Sequence, residues 1–395
     1  MTDLQKISLA LRSLVIFRRL LDDGVIKKLC ALVEAQELPA SEQISRYADF
    51  AAALFAHSTN LTDYVWLRII EDDNIYIQKR AQRRPAGDVL DACVKNELAV
   101  LQAAAQLMSS DIRAHIRYDG FLPDWQTSGT DFFANFEQLM ENIAVTGYGV
   151  FARHPMLRVK DGAIVPVTNP DPVRLTDLKG YERQKKAMTD NTLALLSGKP
   201  AANALLYGDA GTGKSSTVKA LANEYHIQGL RLIEIGKHQI GDIPSITEQL
   251  SQSPLKFILF IDDLSFSRQT DEFNAFKAVL EGSVSFRATN IVIYATSNRR
   301  HIVKELFSDR EGDDIHRNET IQELSSLSHR FGLTVGFFKP DKKAYFDIVH
   351  ALKDDYGIQM DDALLDLEAE RFASAGRSPR VARQFIDSLR RNEST

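Results

Sequence analysis

A chain of 395 residues, 44% hydrophobic and 26% charged, is too long for one ordinary core and has the composition of a soluble protein with two or three domains. Its net charge of −5 falls within residues 1–150, where 15 Lys and Arg face 20 Asp and Glu, while the remainder is balanced. Neither part carries the basic excess of a dedicated nucleic-acid binder.

Met1 to Leu20 has Arg12, Arg18 and Arg19 within its apolar positions, so neither a signal peptide nor a membrane span is expected. Cys30 and Cys93 lie far apart without a metal-ligand spacing, which points to a reducing cytoplasm. From residue 3 to 38 apolar residues recur at helical spacing, broken at Asp22-Asp23-Gly24, and this predicts two helices. After Leu38-Pro39, Ser41 is the expected cap of a third helix through about His57. Two further helices are expected over 62–82 and 87–118, then a loop over 119–135 and a helix over 131–144. Alternation from Tyr148 to Val167 around Lys160-Asp161-Gly162 predicts a β-hairpin. Prolines 166, 170 and 172 mark a linker.

Beyond it the pattern changes to strands alternating with helices. A helix is expected at 182–197, and strands at 204–207, 230–235, 257–261, 291–296 and 333–338, with a helix at 272–281 between the third and fourth. That alternation predicts a parallel sheet with its ligand at the carboxyl ends of the strands. We therefore expect a mostly helical N-terminal domain at 1–169 ending in the hairpin, an α/β nucleotide-binding domain at 170–339, and a helical lid at 340–395.

The second of these carries the strongest motif. Gly208-Asp209-Ala210-Gly211-Thr212-Gly213-Lys214-Ser215 fits G-x-x-x-x-G-K-[ST] at every fixed position, and it follows a strand and opens a helix through Ser216. The glycines let successive N–H groups face a phosphate, and the helix adds its positive end. Lys214 would reach the β- and γ-phosphates, and the Ser215 hydroxyl would ligate Mg²⁺. A glycine-rich turn that happens to precede a helix is the alternative. Asp262-Asp263 ends a run of bulky apolar residues, where Asp262 would hold the metal shell and Asp263 would deprotonate a water. An acidic pair capping the next helix is the alternative there. No Asn-Lys-x-Asp tetrad follows, which favours ATP over GTP.

The succession of this loop, the acidic pair, a strand ending in Asn298, Ser328-His329-Arg330-Phe331-Gly332 and Gly376-Arg377-Ser378-Pro379-Arg380 resembles the AAA+ ATPase superfamily of P-loop NTPases. Lys179-Gly180-Tyr181-Glu182, Tyr294 to Arg300 and Arg330 to Leu333 resemble, more closely, a bacterial AAA+ group of unassigned function. The resemblance covers about residues 170–391. It implies that Asn298 helps place the lytic water, that Arg330 is an arginine finger acting on a neighbouring subunit's nucleotide, and that Arg380 contacts the phosphates from the lid. Arg377 and Arg383 are rivals for that last role. Residues 178–181, Tyr181 among them, would line the adenine pocket.

It further implies an Mg²⁺-dependent ATPase that assembles as a homo-oligomeric ring or arc and remodels or loads a macromolecular partner, a protein recognised by the N-terminal domain. The alternatives are an ATP-dependent assembly switch with slow hydrolysis and, on Arg299, Arg300, Arg390 and Arg391, a nucleic-acid loader. Two departures qualify the resemblance. Asp263 stands where most of the superfamily has Glu, and Gly236 to Gly241 lacks the aromatic residue of threading unfoldases.

Overall fold

The computed structural model describes residues 3–264, 276–280, 288–298 and 330–393. The chain divides into two compact units, Met1–Arg153 and His154–Thr395.

The first unit is helical: α1 (Asp3–Arg12), α2 (Gly24–Val33), α3 (Ala40–Phe55), α4 (Leu61–Ile70), α5 (Ile75–Ala81), α6 (Asp88–Ala105), α7 (Ser109–Arg113), α8 (Phe132–Glu141) and α9 (Ile143–Thr146). Short polar side chains start these helices by accepting otherwise unpaired first-turn amides. Asp23 receives Val25 N and Ile26 N, Asn60 receives Asp63 N, and Asp131 receives Ala134 N. Three expectations change here. Pro39, not Ser41, precedes α3, and Ser41 lies inside the first turn. The helix expected over 62–82 is split, because the Asn74 side chain takes Ile77 N and opens α5. The helix expected over 87–118 stops at Ala105 and resumes as α7. The apolar stripes meet in one core that includes Leu11, Leu29, Phe50, Leu98 and Phe132. Glu97, only 3% exposed, enters that core as a carboxylate. It accepts the amides of Val15, Ile16 and Phe17 at 2.9–3.1 Å.

The second unit is built on a seven-stranded sheet of β1 (Met156–Lys160), β2 (Ala163–Pro166), β3 (Ala204–Gly208), β4 (Leu230–Glu234), β5 (Lys256–Ile261), β6 (Ile291–Ser297) and β7 (Leu333–Phe337), in the order β2-β1-β4-β5-β6-β3-β7. All pairs are parallel except β1 with β2. The hairpin forms at Asp161-Gly162, both at positive φ as a two-residue turn requires. Its place, however, corrects the expected boundary at 169. β1 pairs in parallel with β4, Met156 to Arg158 against Leu232 to Glu234, so the hairpin extends the sheet and the units divide after Arg153. Alternation identifies a strand, but its partner is set by a segment about seventy residues away, which no local pattern reveals. β2 forms the sheet edge and ends in Pro166, a residue tolerated there because the open side of an edge strand does not need the N–H that proline lacks.

Helices α10 (Glu182–Leu196), α11 (Lys214–Tyr225) and α12 (Ile243–Ser251) connect the strands. The segment 276–280 is helical, and the rest of the helix expected over 272–281 lies outside the described residues. Three helices close the chain: α13 (Lys342–Tyr356), α14 (Asp362–Phe372) and α15 (Pro379–Glu393). They share a core of their own around Tyr345, Val349, Leu365, Phe385 and Ile386. A parallel sheet with a phosphate loop after β3, acidic residues after the next strand but one, and a trailing helical lid is the arrangement expected from the sequence.

Candidate functional site

The order β5-β6-β3 puts three strand ends side by side, and this brings residues far apart in sequence to one cleft of about 400 Å³. β3 leads into the phosphate loop. Gly208 has φ +131°, and a Cβ there would meet the Phe337 carbonyl oxygen at 2.0 Å, so only glycine fits against β7. Asp209 is anchored on both sides: its N–H donates to Phe337 O at 2.8 Å, and its carboxylate accepts Lys339 N at 2.7 Å. Gly211 lies under the lid, where a Cβ would meet Ser378 Oγ at 3.2 Å. Its carbonyl accepts the Arg380 amide at 3.2 Å. Ala210, Thr212, Gly213 and Ser216 complete the loop wall. Gly213 gives α11 no side-chain cap, which leaves the first-turn amides as a positive end facing an anion site.

Lys214 is buried and three acceptors hold its ammonium: Gly208 O at 3.0 Å, Asp209 O at 2.7 Å and Asn298 Oδ1 at 3.0 Å. Burial lowers its pKa from the usual lysine value, against the pull of Asp209, Asp262 and Asp263 and with help from Arg380. Ser215 Oγ donates to Asp262 Oδ1 at 2.6 Å. Asp263, at φ +51°, turns the chain sharply after β5. Its Oδ1 accepts Asn298 Nδ2 at 2.9 Å, and its Oδ2 faces Lys237 Nζ at 3.4 Å. One connected set thus runs from Lys214 through Asn298 to Asp263, beside the pair of Ser215 and Asp262.

Thr296, on β6 and 2% exposed, was not singled out from the sequence. Its hydroxyl donates to Asp262 Oδ1 at 2.6 Å and accepts Asp263 N at 2.9 Å. The available signal was a hydroxyl at the buried end of an otherwise apolar strand. Lys237 was passed over too, because it belongs to a short turn with no recognisable pattern.

Tyr181 also lines the cleft, with φ +58°. Its ring stacks on Phe337 at 5.3 Å, and its hydroxyl donates to Phe338 O at 2.6 Å. Burial pushes its pKa up to about 12. Leu178, Gly180, Ile348 and Leu352 form the apolar wall nearby.

Of the lid arginines, Arg380 and Arg383 line the cleft, and Arg383 donates to Asp177 O at 3.0 Å. Arg377 is instead engaged with Glu370. Arg330 is half-buried and does not line this cleft. Ser328, His329, Arg299 and Arg300 lie outside the described residues. No group of three His, Cys, Asp or Glu suited to a metal occurs among the described residues, and no described helix is long and apolar enough to cross a membrane.

Comparison with known proteins gives three kinds of likeness. The Replication factor C large subunit of Sulfolobus acidocaldarius is 28% identical over 116 residues, which is 28% of this chain and about a quarter (26%) of that protein. Solved structures of Thermotoga maritima RuvB include the Holliday junction branch migration motor, with TM-score 0.38, 17% identity and coverage of 56% of this chain and 65% of that one. A singly substituted form of the same RuvB gives TM-score 0.39 at 18% identity with the same coverage. A family model described as a protein of unknown function, DUF815, matches residues 152–393. That match takes in more than half of the chain and the whole of the phosphate-loop sheet and lid, and the protein belongs to the DUF815 family.

Proposed function

We propose that this chain binds Mg²⁺·ATP in the cleft at the ends of β3, β5 and β6 and hydrolyses it, coupling the cycle to remodelling or loading of a macromolecular partner. One observation carries the reading: the Ser215 hydroxyl lies 2.6 Å from Asp262 Oδ1, beside a buried lysine that Asn298 links to Asp263. That hydroxyl and carboxylate are hard oxygen donors. They suit a cation that takes one or two protein oxygens and completes its shell with phosphate oxygens and water. When bound, Mg²⁺ would neutralise charge on the β- and γ-phosphates.

The remaining roles belong to the chain. The loop amides and Lys214 hold the triphosphate, Asp263 accepts a proton from the attacking water, and Asn298 fixes the Asp263 carboxylate. Tyr181 and its apolar neighbours flank the base. Arg380 meets the phosphates from the lid, favoured over Arg377, which Glu370 already engages. Arg330 acts on the nucleotide of a neighbouring copy in a ring or arc. The helical unit recognises a protein partner in the cytoplasm. The balanced charge of the chain beyond residue 150 gives no support to a nucleic-acid partner.

A second reading, an ATP-driven assembly switch with slow hydrolysis, draws on Asp263 itself. Its side chain is one methylene shorter than Glu, and both its oxygens face side-chain donors. A base about 1 Å out of place slows turnover about a hundredfold. Phosphate release and ATP binding, measured together on the wild type and Asp263→Asn, decide between the two. Hydrolysis is supported by wild-type turnover that falls at least about a hundredfold in the variant with ATP binding kept. Tight ATP binding with no wild-type turnover selects the switch, and absence of ATP binding ends both.

A further inference from the structure

We propose that Thr296 is a positioning residue that sets the two carboxylates of the site against each other. The inference rests on the reading of Asp262 and Asp263 given above and extends it to a residue of the cleft wall that acts through them.

The geometry leaves little freedom. Asp263 adopts a left-handed backbone at φ +51°, a conformation that is strained for a non-glycine residue. Two hydrogen bonds to Thr296 offset that strain: Asp263 N donates to its hydroxyl at 2.9 Å, and Leu264 N donates to its carbonyl at 2.6 Å. An amide only donates, so the Thr296 oxygen must accept from Asp263. Its single proton is then directed to Asp262 Oδ1, at 2.6 Å. The same Oδ1 also receives Ser215 Oγ at 2.6 Å and Asp263 N at 3.1 Å. One carboxylate oxygen is therefore crowded with donors, and Oδ2 accepts none among the described residues. The hydroxyl fixes the plane of Asp262 and the backbone of Asp263 in one move.

Its support is rigid. Thr296 lies within β6, paired with Leu206 of β3, and is 2% exposed. A swing of its side chain would leave a buried hydroxyl and the Asp263 amide poorly paired, which is expensive. Position along the sheet is thus converted into the spacing between Asp262 and Asp263.

Thr296→Val keeps the shape and the β-branch and removes the hydroxyl, whereas Thr296→Ser keeps the hydroxyl. Steady-state hydrolysis should fall roughly ten- to a hundredfold in kcat for Thr296→Val with KM for ATP little changed, and Thr296→Ser should recover most of it. A merely structural residue would show neither that split of kcat from KM nor that rescue by serine.

Unchanged kcat in Thr296→Val, or a Thr296→Ser enzyme equally impaired, would overturn the inference. If Thr296→Val melts below the assay temperature, Thr296→Cys supplies a weak donor of suitable size and should behave as the valine variant is expected to; wild-type kinetics in it would count against the role. Retention of Mn²⁺ in the presence of ATP, read by electron paramagnetic resonance, separates this inference from the function it rests on. Failure of the wild type to retain Mn²⁺·ATP rejects both. Retention by the wild type together with an unchanged kcat in Thr296→Val rejects only the role of Thr296.

Discussion

Glu97 in the helical unit and Asp263 in the sheet unit are both carboxylates held by several donors, and they are held in opposite ways. Glu97 is 3% exposed and receives only main-chain amides, from Val15, Ile16 and Phe17. The Asp263 side chain is 60% exposed, lies on a left-handed backbone, and faces side-chain donors from Asn298 and Lys237. Main-chain donors cannot leave, so Glu97 joins a loop to a helix permanently. Side-chain donors can exchange one partner for another, so Asp263 stays available to a reactant. Strained backbone with exchangeable partners is what marks a site against its scaffold.

The comparison can be broken at either end. Glu97→Ala should have the larger effect on the fold, a loss of about 3 kcal/mol, because the buried amides of Ile16 and Phe17 and the part-buried amide of Val15 lose their acceptor. Thermal or urea unfolding checks it, and ATP affinity measured well below the melting point should be unchanged. A variant of wild-type stability would show that those amides find other partners. A smaller effect is expected at the lid. Arg380→Ala should weaken ATP about tenfold through loss of one charged contact, with ADP affected less, while Arg377→Ala leaves ATP binding unchanged. The reverse result, read by nucleotide titration, would move the role to the arginine that Glu370 engages in this structure.

How much of this was legible in the sequence follows from how far each feature reaches along the chain. The phosphate loop is complete within eight residues, and β5 and β6 are runs of buried apolar residues, so both were visible locally. The place of the hairpin was not, because Met156 to Arg158 find their partners at Leu232 to Glu234. The break before α5 turned on one Asn74 side chain competing for an amide inside a stretch of continuous helical periodicity. Thr296 was hidden for a related reason. A threonine in a strand is ordinary, and only the turn at Asp263 gives its hydroxyl two partners at once. Arg330 was chosen by resemblance alone, and its expected target belongs to another copy of the chain.

The central claim is that the loop from Gly208 to Ser215 and the Ser215–Asp262 pair together form a Mg²⁺·ATP site. Calorimetric titration of ATP into the wild type and Lys214→Ala, each with Mg²⁺ and again with excess chelator, tests it most directly. The account predicts saturable binding by the wild type that weakens without Mg²⁺, and at least about a hundredfold loss of affinity in the variant. Equal affinity in the two proteins, or binding indifferent to Mg²⁺, would contradict it.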